Sequence, residues 1–236
     1  RGAMDDALEM HRKSLEIQVS LRDAVGAARS YNNMGYIYRR RKDNRRALEV
    51  YGNVEDLLDA EDNPELCDAR IRLASAFLEM GEMDRARDHA MTAFEETEDQ
   101  MDIVHARARA VLGRYYARAK ENELAMQYYS GALDILSDQA DPHSAVEVAM
   151  LLGQVLSDAG RKDEAAEHYI DALVLAEAND FRMLQGELLA RLGEVESDRS
   201  QKMDYLQRSL SVFRELGAVD RMRDVQTSVH KAVMGH

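Results

Sequence analysis

The stretch "YNNMGYIYRRRKDNRRALEVY", Tyr31 to Tyr51, decides the reading of this chain. Ala28, Tyr31, Met34, Ile37 and Tyr38 recur at spacings of three and four, which predicts a helix over roughly Asp23–Arg41. Ala47, Leu48, Tyr51, Val54, Leu57 and Leu58 form a second apolar stripe, over roughly Asn44–Asp59. Between the stripes lies a basic run, Arg39, Arg40, Arg41, Lys42, Arg45 and Arg46, in a chain whose formal net charge is −13.

The stretch is one copy of a repeat. Gly35 in "NNMGYIY" recurs as Ala74 in "IRLASAF", Gly113 in "AVLGRYY", Gly153 in "MLLGQVL" and Gly193 in "ARLGEVE", at steps of 39, 39, 40 and 40 residues. "RALEVY" (46–51) recurs as "RARDHA" (85–90), "LAMQYY" (124–129) and "EAAEHY" (164–169). "DALEMH" (6–11) precedes the first of these, and "MDYLQRSL" (203–210) is a degenerate fifth copy. Self-similarity at such a period marks a repeat architecture. Helix signals fall in step with it. "NP" (63–64) and "DP" (141–142) each set an N-cap before proline at the first helical position, and Gly81 and Gly160 suit helix C-termini. A glycine inside a helix costs about 1 kcal/mol relative to alanine. A close crossing with the partner helix at the anchor position would offset that cost.

A small residue after leucine, an aromatic three further on, then A-x-x-x-Y-x-x-A-L resembles the tetratricopeptide repeat (TPR) family. "LGRYYARAKENELAMQYYSGAL" (112–133) and "LGQVLSDAGRKDEAAEHYIDAL" (152–173) carry the pattern best. The period resembles the variants of about 40 residues found in regulatory and signalling arrays, among them sensor domains of bacterial and archaeal regulators and kinesin light chains. The resemblance implies an all-α fold: an α-solenoid, a right-handed superhelix of antiparallel helix pairs. One array is expected over 1–236. It comprises a second helix of a truncated unit (1–20), helix-pair units at 21–60, 61–99, 100–139, 140–179 and 180–217, and a terminal helix at 218–236. "GAMDDA" (2–7) aligns with "GEMDRA" (81–86), so the first helix of the opening unit is expected to be missing and the chain to be a piece of a larger protein.

Composition narrows the function. The acidic balance argues against nucleic acid, because phosphate contacts need a basic face. No apolar run reaches the roughly 20 residues that span a bilayer, and no signal-peptide pattern opens the sequence. The single Cys67 excludes an intramolecular disulfide and fits a reducing, cytoplasmic compartment. The histidines (His11, His89, His105, His143, His168, His230 and His236) form no H-x-x-x-H pair and read as structural. No G-x-G-x-x-G, G-x-x-x-x-G-K or G-x-S-x-G occurs, so no cofactor, metal or catalytic site is expected. The frequent methionines fall at core spacing and suit adaptable packing.

Repeat superhelices bind on a concave face, which the resemblance assigns to the first helix of each unit. The lining positions lie six, three and two residues before the anchor, and one, four and five after it. They give Arg29, Asn32, Asn33, Tyr36, Arg39 and Arg40 in the first full unit. The next gives Asp68, Ile71, Arg72, Ser75, Leu78 and Glu79. The third gives Arg107, Ala110, Val111, Arg114, Ala117 and Arg118. The fourth and fifth are acidic, with Glu147, Asp158, Glu187, Glu194 and Asp198. Two readings of the arginines stand. In one they hold an acidic segment or a C-terminal carboxylate of a protein partner, with Asn32 and Asn33 on its backbone and Tyr36 packed on it. In the other they pair with acidic neighbours in adjacent units. The family's carboxylate clamp is not carried over, because Ile71 and Ala110 stand where it would need further polar groups. The functional expectation is a protein- or peptide-binding scaffold or sensor arm. The alternatives are an array attached to a catalytic domain and, against the net charge, a nucleic-acid-binding array. The ends of the array offer surfaces for end-to-end self-association.

Overall fold

The computed structural model describes residues 2–58, 63–99, 102–138 and 141–234. Arg1, Asp59 and His236 lie outside them, as do expected unit boundaries near residues 60, 100 and 140. Among the described residues there are twelve helices and no strand. They are α1 (Gly2–Ser20), α2 (Ala24–Arg40), α3 (Asn44–Leu57), α4 (Pro64–Met80), α5 (Met83–Glu96) and α6 (Ile103–Arg118), then α7 (Asn122–Asp138), α8 (Pro142–Asp158), α9 (Lys162–Ala178), α10 (Arg182–Val195), α11 (Arg199–Glu215) and α12 (Val219–Met234). The fold is the all-α helical-repeat solenoid. No described helix is long and apolar enough to cross a membrane.

The chain divides within α6 into two compact units, one ending at Tyr115 and the other beginning at Tyr116. In the first, α1 packs on α2, α2 on α3, α3 on α4 and α4 on α5, and α2 also touches α4. In the second, each helix from α7 to α12 packs on its successor, and α8 touches α10.

The repeated small residue is explained by what faces it. A β-carbon at Gly35 would overlap the ring of Tyr51 in α3, and one at Gly153 would overlap the ring of Tyr169 in α9. Both rings are fully enclosed, and burial pushes the Tyr169 hydroxyl up to about 12. At Gly193 the neighbour is Leu206, whose Cδ2 would stand 2.7 Å from the added carbon. In the α4–α5 pair the anchor is Ala74, and Ala90 takes the register position of Tyr51; both are fully buried. Where the anchor gains a methyl group, the opposing side chain has lost a ring. In α1, Met10 stands at the register of Val50 but is 71% exposed, against 8% for Val50.

The helix ends follow the sequence signals. Asn63, whose side chain accepts from Glu65 N, and Asp141, which accepts from Ser144 N, cap helices that open with Pro64 and Pro142. The turn from first to second helix closes on a left-handed residue: Gly81 (φ 81°), Gly160 (φ 82°), Lys42 (φ 60°) and Lys120 (φ 66°). In each case the next amide reaches back five residues, as from Glu82 N to Phe77 O at 2.9 Å and from Glu121 N to Tyr116 O at 2.9 Å. Lysine carries a steric cost in this conformation that glycine does not. Lys120→Gly is therefore expected to stabilise the chain by about 1 kcal/mol, roughly 2–4 °C in Tm at this size. Lys120→Ala, which keeps the β-carbon, should give no such gain. Thermal circular dichroism checks both, and a lowered Tm in Lys120→Gly would refute the strain.

Candidate functional site

The expected lining residues of the first unit lie on the face where α2, α4 and the start of α6 meet. Arg29, Asn33, Tyr36 and Arg40 are exposed, Arg39 is half-buried, and Asn32 is 5% exposed. Arg72 on α4 and Arg107 and Arg114 on α6 are half-buried. Arg118, at the end of α6, belongs to the second compact unit. Ile71, Ser75, Leu78 and Val111, also placed on the lining by register, are buried instead, because the stripe they share is covered by neighbouring helices.

Arg29, Arg39, Arg72 and Arg107 reach acidic side chains. Arg29 Nε lies 2.5 Å from Glu65 Oε1, and Arg39 Nη2 lies 2.5 Å from Glu79 Oε1. Asp68 serves two: Arg72 Nε lies 2.5 Å from its Oδ2, and Arg107 Nη1 lies 2.7 Å from its Oδ1. Three of these contacts tie the first helix of one repeat to that of the next, which is the arrangement the second reading of the arginines describes. Arg40 makes no ion pair among the described residues. The Arg72 guanidinium also lies over the half-exposed ring of Tyr36, 5.8 Å from its centroid.

Arg29, Asn32, Asn33, Pro64, Glu65, Asp68, Val104 and Arg107 enclose a recess of about 350 Å³ that opens to the surface. Asn32 Nδ2 donates to the Glu65 carbonyl at 2.9 Å, which fixes the amide orientation and leaves Oδ1 buried without a partner. Glu65 was not among the residues expected here. It lies nine positions before Ala74, one helical turn outside the stripe, and proline before it was the only signal that it opens α4. In the second unit a smaller recess, about 260 Å³, lies among α10, α11 and α12. There Glu187, expected on the acidic stretch, takes an ion pair from Arg221 at 2.7 Å.

His105, His89 and Cys67 serve packing and pairing. His105 is fully buried: its Nδ1 lies 3.0 Å from Thr97 Oγ1, its Nε2 accepts from Arg109 Nε at 3.0 Å, and its ring stacks on Phe94. His89 stacks on Phe77 and lies 3.4 Å from Glu55. Cys67 is buried, with Sγ 3.6 Å from Glu96 Oε2. Among the described residues no three His, Cys, Asp or Glu side chains converge to hold a metal ion.

The geometry of paired helices at this period meets its counterpart in known proteins. The tetratricopeptide repeat profile matches residues 28–56, 71–145 and 150–210, more than half of the chain. The chain belongs to the tetratricopeptide repeat family. No curated protein matches it in sequence. Among solved structures, this TPR chain is similar to a Signal Transduction ATPase with Numerous Domains (STAND) protein with a tetratricopeptide repeat sensor, from Pyrococcus horikoshii. The TM-score is 0.75 and the identity 17%, over 95% of this chain and 38% of that one. It is also similar to BtubC from P. vanneervenii (TM-score 0.71, 16% identity, 97% and 92% covered). A third is a Rap protein complexed with competence and sporulation factor (TM-score 0.65, 13% identity, 98% and 77% covered). At these identities the likeness is one of fold. The TPR chain spans well under half the length of the STAND protein.

Protonation of His105 is disfavoured by burial first and by the Arg109 charge second, so its pKa is lowered from 6.5. The unfolded chain therefore takes up a proton that the folded one resists as pH falls below about 6.5, and stability declines over that range. Tm measured from pH 7.5 to 5 should fall less steeply in His105→Gln than in the parent chain. Equal slopes would refute the role assigned to His105.

Proposed function

We propose that this TPR array is a protein- or peptide-binding scaffold, and that an extended segment of the partner lies across the α2–α4–α6 face of the first unit. The observation that carries the reading is the pair Asn33 and Tyr36. Both are exposed, Tyr36 at 48%, and both border positions that recur for packing while themselves not recurring. An aromatic ring with a guanidinium over it and an amide one turn away is the mixture that protein interfaces favour. Arg29, Asn32, Arg39, Arg40, Arg72 and Arg107 complete the face, with Arg114 further along α6. Arg118, expected on the lining from the sequence, belongs to the second compact unit. The role is binding rather than catalysis.

A second version makes the array the sensor arm of a larger regulator. Its support is the fold shared with the STAND protein, whose tetratricopeptide repeats form a sensor. The two versions use the same face and differ in what is attached to it.

A selection from a random displayed-peptide library tests the reading. Enriched peptides should lose at least tenfold in affinity, about 1.4 kcal/mol, in Asn33→Ala and in Tyr36→Ala, with helical circular dichroism unchanged. Undiminished binding in both variants would remove this face from the account.

A further inference from the structure

The outer side of α1 carries a largely apolar stripe that stands open. Ala3, Ala7, Met10, Ser14, Ile17 and Leu21 alternate steps of four and three, so they line one side of the helix. Leu21 lies just past the last helical residue, yet its amide still donates to Ile17 O at 3.0 Å and continues the stripe. Met10 is 71% exposed, Ile17 60% and Leu21 72%. One repeat later, Ala47, Val50 and Val54 hold the registers of Ala7, Met10 and Ser14, and all three are buried in α3, which packs on α2 and α4.

The order of sizes along the stripe makes it complementary to itself. Small side chains stand at Ala3, Ala7 and Ser14, and large ones at Met10, Ile17 and Leu21. Laid antiparallel on the α1 of a second copy, Ala3 meets Leu21, Ala7 meets Ile17 and Ser14 meets Met10. Every small residue then faces a large one, and each pairing occurs twice about the two-fold axis. Such alternation lets two helices interdigitate at interior density. A parallel pairing would instead set methionine on methionine and alanine on alanine. The steps average 3.5 residues, the spacing that keeps a seam facing its partner along the whole contact. The charges agree with the pairing. Glu9 and Lys13, 3.4 Å apart on the flank of the stripe, are gathered from both copies at the axis, two anions with two cations. The contact runs for about 27 Å and buries on the order of 1,000 Å², at the lower bound for a specific interface.

The last helix offers no such surface. α12 packs Met222, Val225, Val229 and Ala232 into a cluster with Leu206 and Phe213 of α11. Its opposite side exposes Asp220, Arg223, Thr227, His230 and Lys231. Its exposed apolar side chains, Val219, Val233 and Met234, stand only near its ends. A head-to-tail contact would therefore set the α1 stripe against polar groups, whereas an isologous contact of α1 with α1 buries it and closes at two copies. We infer that two copies of this chain associate through α1, antiparallel, as a weak closed dimer. The inference is independent of the peptide-binding reading, which uses a different face.

Sedimentation equilibrium of the full chain between about 1 and 200 μM should show the mass doubling, with a Kd on the order of 10 μM and nothing larger. Met10→Glu and Ile17→Glu each place a carboxylate in the seam and should weaken the dimer at least about tenfold. Both positions are exposed, so helical circular dichroism should not change. Cross-linking reads the direction of pairing. Cys67 is buried, so cysteines placed on the stripe report alone in an oxidising glutathione buffer. Ala3→Cys combined with Leu21→Cys should form a covalent dimer, and either substitution by itself should not. A chain that stays monomeric throughout would leave the stripe to a helix of another sequence and overturn the dimer. So would association that survives both glutamate substitutions, or a series of species that grows with concentration. Cross-linking of a single-cysteine variant would report parallel pairing and contradict the inference as well.

Discussion

The contact of a glycine with an aromatic ring across a helix pair is the constraint on which the rest of the structure depends. Tyr51 fills the space over Gly35 and Tyr169 the space over Gly153, with no room for a single added carbon. Such proximity lets two helices share a dry interface with the hydroxyl-bearing ring inside it, and its burial is what raises the Tyr169 pKa. Protein interiors are packed too densely for one partner to change alone. The α4–α5 pair shows the alternative solution, Ala74 with Ala90 at the ring's register position. Once the crossing is fixed, the remaining faces of the first helix are fixed as well. One stripe meets the second helix, another meets the next repeat, and a third is left over.

That leftover stripe is where function is proposed, and its properties follow from the packing beneath it. Met34, Gly35, Ile37 and Tyr38 are buried, so Asn33, Tyr36 and Arg40 are left on the outside of α2. Each repeat can vary its outer stripe without disturbing the crossing, since contacts in such arrays are local and stability is approximately a sum over repeats and their interfaces. The ion pairs from Arg29 to Glu65 and from Arg39 to Glu79 lie on the same stripe and stitch successive first helices together. Arg29, whose side chain is exposed, can leave its partner at low cost, whereas Arg39 is half-buried.

Much of the architecture was legible in the sequence for reasons of local chemistry. The spacing of small residues at 35, 74, 113, 153 and 193 reported the crossing, and Asn63-Pro64, Asp141-Pro142, Gly81 and Gly160 reported helix ends. Other features left no local mark. Lys42 and Lys120 take the same left-handed turn position as Gly81 and Gly160, yet nothing in a lysine announces it. Ile71, Ser75 and Leu78 shared the register of lining residues and proved buried, because a spacing of three and four marks a stripe without saying which neighbour covers it. Glu65 and Arg29 are 36 residues apart, and their meeting depends on how one repeat stacks on the next. The buried, unpartnered oxygen of Asn32 depends in turn on the carbonyl of Glu65. Pairings between repeats are set by stacking geometry, which composition and period do not specify.

The most direct test of the central contact is a double-mutant cycle at Gly35 and Tyr51, read as unfolding free energy in urea. Gly35→Ala alone should destabilise by more than about 2 kcal/mol, the cost of overpacking a filled site. In the Tyr51→Ala background the same change should instead stabilise by about 1 kcal/mol, since the ring is gone and alanine is the better helix former. A reversal of sign between the two backgrounds is the predicted result. An equal effect of Gly35→Ala in both would mean that glycine and ring do not constrain each other, and the account of the fold would fail.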